Sequence, residues 1–236
     1  MTEISKTADK ALAILVELAD GEAATPQQIS LRLGVNRTVV QRLLMTLLAR
    51  EFVVRSRGEY MLAPRITRLS ASVYQTERAA VKAHGVQLSK KLGETVVLQV
   101  PDGVDVVVLE EFIQNQRLSI QVRHDVASRS ALTQTASGLA ILATMDRRTA
   151  QRRIKSYGGD VQGLSQTVEK IRADGGFAQT SNSLQAGVSG LALAVRQGNS
   201  VMGSLGVLVP TTRVADLDGY REPLARAVRR IERSLA

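Results

Sequence analysis

The 236-residue chain has no cysteine and only two histidines, His84 and His124. The first absence excludes disulfides, iron–sulfur clusters and thiol catalysis and agrees with a reducing compartment. Together the two shortages leave too few ligands for a zinc site. No apolar run approaches the roughly 20 residues of a membrane span. The opening residues show neither the charged lead nor the apolar core of a signal peptide, so a cytoplasmic location is expected. Neither a Walker loop nor a GxGxxG stretch occurs, and Gly158, Gly159, Gly175 and Gly176 read as helix ends rather than phosphate cradles. Neither histidine stands in a nucleophile motif, and His124, followed by Asp125 in an Arg-flanked polar stretch, reads as an exposed loop residue. Asp102, Asp105, Glu110 and Glu111 straddle a hairpin and read as turn and surface charges. No catalytic residue, metal or cofactor is expected, and the chain is not read as an enzyme.

What is present begins with residues 25 to 62. Thr25 is placed to cap a helix whose first residue is Pro26, where a missing N–H costs nothing. Ile29, Leu31 and Leu33 are expected on its buried side, and Gly34 supplies the positive φ of a sharp exit. Asn36 or Thr38 can cap the next helix, whose Val39, Val40, Leu43, Leu44, Leu47 and Leu48 form a wide apolar stripe. An earlier helix, capped by Ser5 and carrying Leu12, Ile14, Leu15, Leu18 and Ala19, completes a three-helix unit. Two strands around an Arg57-Gly58 turn follow. The succession predicts a winged helix-turn-helix, a shape whose second helix enters a DNA major groove. Asn36, Arg37, Thr38, Gln41 and Arg42 are then the candidate base readers, because Arg pairs with guanine and Asn or Gln with adenine in two-point geometry. Arg55 and Arg57 on the wing suit phosphate contact or minor-groove entry.

The net charge of +9 favours polyanionic partners, but it is spread along the chain. Eleven Lys/Arg against eight Asp/Glu leave +3 in the first 80 residues and +6 beyond them. Within 32 to 68, however, Arg32, Arg37, Arg42, Arg50, Arg55, Arg57, Arg65 and Arg68 meet only Glu51 and Glu59, so the expected contact surface is locally basic.

A division near residue 80 is expected: a DNA-binding domain over 1–64, a connecting helix over 65–81 that the apolar spacing extends to about Ala83, and a second domain over 82–236. In the second domain a helix ending at Gly93 precedes strands at Thr95–Val100, Val104–Phe112 and Leu118–Val122. Helices at Thr135–Met145, Thr149–Tyr157 and Ser165–Asp174 follow, then strands at Gly190–Arg196 and Val201–Val209 around a Gly198-Asn199 turn. An amphipathic helix over Asp218–Leu235 closes the chain, and its Arg226, Arg229, Arg230 and Arg233 read as a solvated face, with a nucleic-acid contact as the alternative. This order describes an α+β domain with an antiparallel sheet able to cradle a small molecule.

The ordered pieces KALAIL, ISLRLGVNRTVVQRLLMTL, EFVVRSRGEYMLAPRI, LGETVVLQV, DGVDVVVLEE, TASGLAILA, GGFAQTSNSLQAGVSGLALAV and SLGVLVP resemble the IclR family of bacterial transcriptional regulators along nearly the whole chain. The resemblance implies an α+β architecture with an N-terminal winged helix-turn-helix and a C-terminal GAF-like antiparallel-sheet effector domain. It also implies dimers formed through the N-terminal domains, often paired into tetramers, that bind a double-stranded DNA operator and a small-molecule effector. The family's effector site uses the start of the helix matching TASGLAILA, where free N–H groups bind anions, so Thr135, Ala136, Ser137 and Gly138 are candidates. On the sheet, Val97, Gln99, Val108, Glu110, Gly190, Gly206 and Leu208 are expected to line the cavity. Gly190 stands where the family often has cysteine, Gly206 and Leu208 where serines are common, and Gln185 replaces a usual acid, which implies a more apolar or roomier site. The expected function is sequence-specific transcriptional regulation with operator affinity set by a metabolite; the alternative is a ligand-sensing scaffold whose winged domain binds protein.

Overall fold

Ser5 accepts the Ala8 amide at 3.5 Å and starts α1 (Lys6–Asp20) in the computed structural model, which describes residues 4–113, 128–158 and 160–236. Two compact units emerge, Met1–Gln75 and Thr76–Ala236.

In the first unit, Thr25 and Gln28 form a reciprocal capping box at the start of α2 (Pro26–Leu33), and Gly34 leaves the helix at φ 62°. α3 (Arg37–Ala49) follows after two residues. Ile14, Leu18, Ile29, Val40, Leu44 and Tyr60 form the centre of a core shared by the three helices and the hairpin of β1 (Val53–Ser56) and β2 (Glu59–Leu62). An Ala24–Tyr60 bridge adds the α1–α2 linker to the hairpin edge. Leu31, expected on the buried side of α2, is 75% exposed: it lies two residues from Ile29, about 200° round the helix, so both cannot face one core.

The single connecting helix expected from Arg65 is divided. α4 (Arg65–Ser72) stops at Val73, Tyr74 takes φ 54°, and α5 begins at Gln75 and runs to Leu92. A bulky residue at positive φ is rare, and neither glycine nor proline marks this break.

The second unit is built on a six-stranded, wholly antiparallel sheet of order β5-β4-β3-β8-β7-β6. Its strands are β3 (Thr95–Asp102), β4 (Asp105–Phe112), β5 (Arg129–Ala131), β6 (Ala178–Ser181), β7 (Val188–Gln197) and β8 (Ser200–Pro210). The edge strands β5 and β6 were not expected. The strand expected at Leu118–Val122, and the residues His124, Asp125 and Gly159, lie outside the described residues. α6 (Ala136–Thr144) packs on the sheet face that carries Gly206 and Gly190, with α7 (Arg147–Tyr157) and α8 (Val161–Ala173) outside it, around Leu139, Ile141, Ile154 and Val168. On the other face Arg78 of α5 binds Glu110 of β4, and the last helix, α9 (Leu217–Leu235), lies beside α5 after a 3₁₀ turn at Thr211–Asp216.

The β3–β4 register shifts between Leu98 and Gln99: Leu98 pairs with Glu110, Gln99 with Val108, and Leu109 is the extra residue of a bulge. Strict alternation along β4 therefore fails at Leu109, and Val108 and Glu110 point to opposite faces.

Candidate nucleic-acid interface and ligand cavity

α3 buries Val40, Leu43, Leu44 and Leu47 and leaves Arg37, Thr38, Gln41, Arg42, Met45 and Thr46 exposed. Arg37, Gln41 and Arg42 lie on neighbouring turns and can present their ends together. Of the two caps expected for this helix, Asn36 is the one used. Its Oδ1 accepts the Thr38 N–H at 2.9 Å, which makes it the helix cap and leaves only its amide nitrogen for an outside partner. An open groove between the starts of α1 and α3 is lined by Lys6, Lys10, Arg37, Gln41 and Arg42. The two lysines were missed by the sequence reading; their four-residue spacing, which puts both on one side of α1, was the available signal.

The hairpin turns on two positive-φ residues, Arg57 at 50° and Gly58 at 89°, the geometry whose twist matches the flanking strands. Arg55 and Arg57 are both exposed, and the Arg55 guanidinium sits 5.7 Å from the centroid of the buried Tyr60 ring. Not every arginine of this region adds to the surface charge, since Arg32 pairs with Glu17 at 3.0 Å and Arg65 with Glu51 at 2.8 Å. Among the described residues no carboxylate pairs with Arg37, Arg42, Arg55 or Arg57.

In the second unit a void of about 30 Å³, room for roughly one water, lies between the start of α6 and the sheet. Seven of the expected residues line it: Gln99, Thr135, Ala136, Ser137, Gly190, Gly206 and Leu208. Thr180, Gln134, Val188, Leu191, Ala192 and the exposed Ser183–Leu184–Gln185 segment complete the wall. The last of these follow from β6 and its exit, which the sequence reading lacked.

Four expected residues do not line this void. Glu110 is turned to the opposite face by the bulge, where the Arg78 Nε lies 2.5 Å from its Oε1. Val108 and Val97 are buried in the sheet layer, Val97 packing under Gly206. Gly138 faces away: a Cβ there would collide with the Leu132 carbonyl, so its role is to let α6 lie against the preceding turn.

Among the described residues the void carries no charged side chain. Thr135 Oγ1 caps the Gly138 amide at 2.9 Å, and the amides of Ala136 and Ser137, in the first helical turn, have no intrahelical acceptor. Gln99 is 3% exposed, and its Nε2 has no hydrogen-bond partner among the described residues. The arrangement is a donor-rich, cation-free site beneath a helix N-terminus, suited to a small acceptor such as a carboxylate or carbonyl.

No helix among the described residues is long and apolar enough to cross a membrane, and no His/Cys/Asp/Glu group among them could hold a metal ion.

Comparison with known proteins finds a family match in each of the two units. The family described as the IclR helix-turn-helix domain matches residues 7–57, and that described as the bacterial transcriptional regulator IclR C-terminal domain matches residues 75–235. The HTH-type transcriptional regulator Rv1719 of Mycobacterium tuberculosis is 27% identical over 196 residues, covering 79% of this chain and 74% of its own. The fold is similar to that of the IclR regulator from Alicyclobacillus acidocaldarius, with a TM-score of 0.83 and 22% identity over 99% of this chain and 100% of that one. It is also similar to an IclR homolog from Microbacterium hydrocarbonoxydans complexed with 4-hydroxybenzoate, with a TM-score of 0.79 and 20% identity over 95% and 98% of the two chains. The chain belongs to the IclR family of bacterial transcriptional regulators, with that family's helix-turn-helix and C-terminal domains.

Proposed function

We propose that the chain binds a specific DNA operator as a homodimer and that a small ligand in the void beside α6 changes its affinity for that operator. The exposed, carboxylate-free row Arg37, Gln41 and Arg42 on α3 carries the reading, because long polar side chains free to extend from a recognition helix are what base edges require. Pairing through the first unit is supported by α1, where Leu12 and Val16 stand one turn apart at 62% and 60% exposure beside Leu33. Such an apolar stripe is a ready partner surface. Two copies would present their α3 helices to successive major grooves, about 34 Å apart. Arg55 and Arg57 would hold the flanking backbone.

The ligand reading rests on the unpaired Gln99 amide and the α6 amides, which suit a small carboxylate; the 4-hydroxybenzoate held by the Microbacterium homolog is of that class. The void admits only about one water, so such a ligand must displace the exposed Ser183–Gln185 segment. A tenfold change in operator affinity needs only about 1.4 kcal/mol of differential binding between two states. The reading places the protein in the cytoplasm and assigns it no catalysis.

The test is to recover genomic fragments bound by the full chain at near-physiological salt and to sequence them. Enrichment of one or a few inverted repeats near promoters is the expected result. Uniform recovery, or none, would replace operator binding with nonspecific attraction or with a protein-binding role for the winged domain.

A further inference from the structure

α5 and α9 together carry nine Lys/Arg against four Asp/Glu. Periodicity alone reads this excess as a solvated helix face. The structure gathers part of it into one concavity of about 140 Å³, on the sheet face opposite the ligand void, lined by His84, Gln87 and Lys91 from α5 and by Arg226 and Arg230 from α9. Among the described residues Glu222 is the one acid engaged there: its Oε1 lies 3.3 Å from Arg226 and 3.2 Å from Arg229, so it is shared between two cations. Among the described residues no carboxylate pairs with Lys91 or Arg230. His84 adds a second observation. Its Nδ1 is shut off from solvent and has no hydrogen-bond partner among the described residues, an uncommon state for a buried ring nitrogen. Burial, and then the charge of Arg230, hold the His84 imidazolium below its ordinary titration range. Lys91 and Arg230, with Arg226 only partly offset by Glu222, converge beside that ring nitrogen, and a multiply charged anion is the group that would offset their mutual repulsion.

We propose that this groove binds a phosphate group, seated between Lys91, Arg226 and Arg230 beside the His84 ring. The shared chemistry is a multiply charged tetrahedral oxyanion, supplied either by a soluble phosphorylated molecule or by a nucleic-acid backbone. An anion there offsets Arg230 and favours the imidazolium, so binding is reported by His84 itself.

The experiment is a histidine-selective NMR titration of the full chain with inorganic phosphate, matched in ionic strength with chloride. His84→Gln assigns the resonance, and His124 is the chain's other histidine. The expected result is a saturable shift confined to His84, with its pKa raised by phosphate and not by chloride. Arg230→Gln and Lys91→Gln are each expected to weaken that response tenfold or more. A second titration uses a short duplex of random sequence. If the duplex displaces phosphate at His84, the natural source is a nucleic-acid backbone; if it does not, the source is a free phosphorylated molecule. Equal responses to chloride and phosphate, or a phosphate response intact in both variants, overturn the proposal.

Discussion

Arg213 grips Glu94 with two nitrogens across 119 residues of sequence: Nε lies 2.8 Å from Oε1, and Nη2 donates to Oε2 at 2.8 Å. Glu94 enters β3 and is 4% exposed, while Arg213 stands in the 3₁₀ turn after β8, so the pair fixes where the chain leaves the sheet for α9. Removing the cation leaves a buried carboxylate with the Tyr220 hydroxyl as its remaining partner and no charge to offset it. Arg213→Met should cost about 3 to 4 kcal/mol, the lower part of the range for a broken buried pair because the arginine keeps some solvent. Adding Glu94→Gln should recover part of that loss. Urea unfolding of the three variants measures both, and equal stability of the single and double variants would show that the buried charge was not the cause.

Arg42 projects from the middle of α3 with no carboxylate partner among the described residues. Arg42→Ala should weaken operator binding by about 1 to 3 kcal/mol and relax the preference at one base position, while leaving thermal stability within about 0.5 kcal/mol of the parent. Competition binding against operators altered one position at a time is the measurement. A uniform loss at every position would make Arg42 a phosphate contact instead.

Arg57 occupies the first positive-φ position of the wing turn, where asparagine or glycine is easier. Holding an arginine there costs on the order of 1 kcal/mol, a cost consistent with the side chain being needed at the tip. Arg57→Gly should raise the melting temperature slightly and at the same time reduce the slope of log affinity against log salt by about one phosphate contact. A gain in stability with an unchanged slope would leave Arg57 without a DNA role.

The first unit was legible because each of its turns is written in residues with one physical use. Thr25-Pro26 with Gln28 starts a helix, Gly34 ends it, and a hairpin needs a permissive pair such as Arg57-Gly58. The break at Val73-Tyr74 was not legible, because tyrosine at positive φ carries no local signature. In the second unit the long central strands announced themselves, while β6, reading Ala-Gln-Thr-Ser, shows no apolar alternation and is held by pairing to β7. The bulge at Leu109 was equally silent. That one extra residue moved Glu110 from the expected cavity wall to the Arg78 face. Gly138, judged from the sequence to admit a ligand, instead admits the Leu132 backbone. Substituting it would disturb the packing of α6 rather than block a ligand alone.

The single hydroxyl proton of Tyr157, on α7, is shared between the Asp105 carboxylate and the Val104 carbonyl, pinning the helix to the β3–β4 turn. Burial and the nearby carboxylate push the phenol up to about 12, so it stays a donor across the working range. The same hydrogen bond, with help from Arg129, holds the Asp105 carboxyl below its ordinary value of 3.8. A depressed carboxylate stabilises the fold above its unfolded pKa and loses that contribution as pH falls through the folded one. Tyr157→Phe should therefore cost about 1 to 2 kcal/mol at pH 7, with the deficit shrinking below about pH 4. A deficit independent of pH would mean that the Val104 carbonyl, and not Asp105, carries the interaction.

Gln99 allows a two-part measurement on the ligand void, the first part made without ligand. Its buried Nε2 lacks a partner, and an unsatisfied buried donor costs about 1 to 3 kcal/mol relative to a paired one. Leucine has a similar volume and no donor. Gln99→Leu should therefore leave the ligand-free protein as stable as the parent or more stable by about 1 kcal/mol, and should abolish stabilisation by any small carboxylate that stabilises the parent. Both halves are read from melting curves with and without 4-hydroxybenzoate and related acids. A variant that is less stable by more than about 1 kcal/mol would show that a bound water already satisfies the amide. The void would then be an ordinary hydrated cavity, and the ligand site would have to be sought elsewhere on the α6 face.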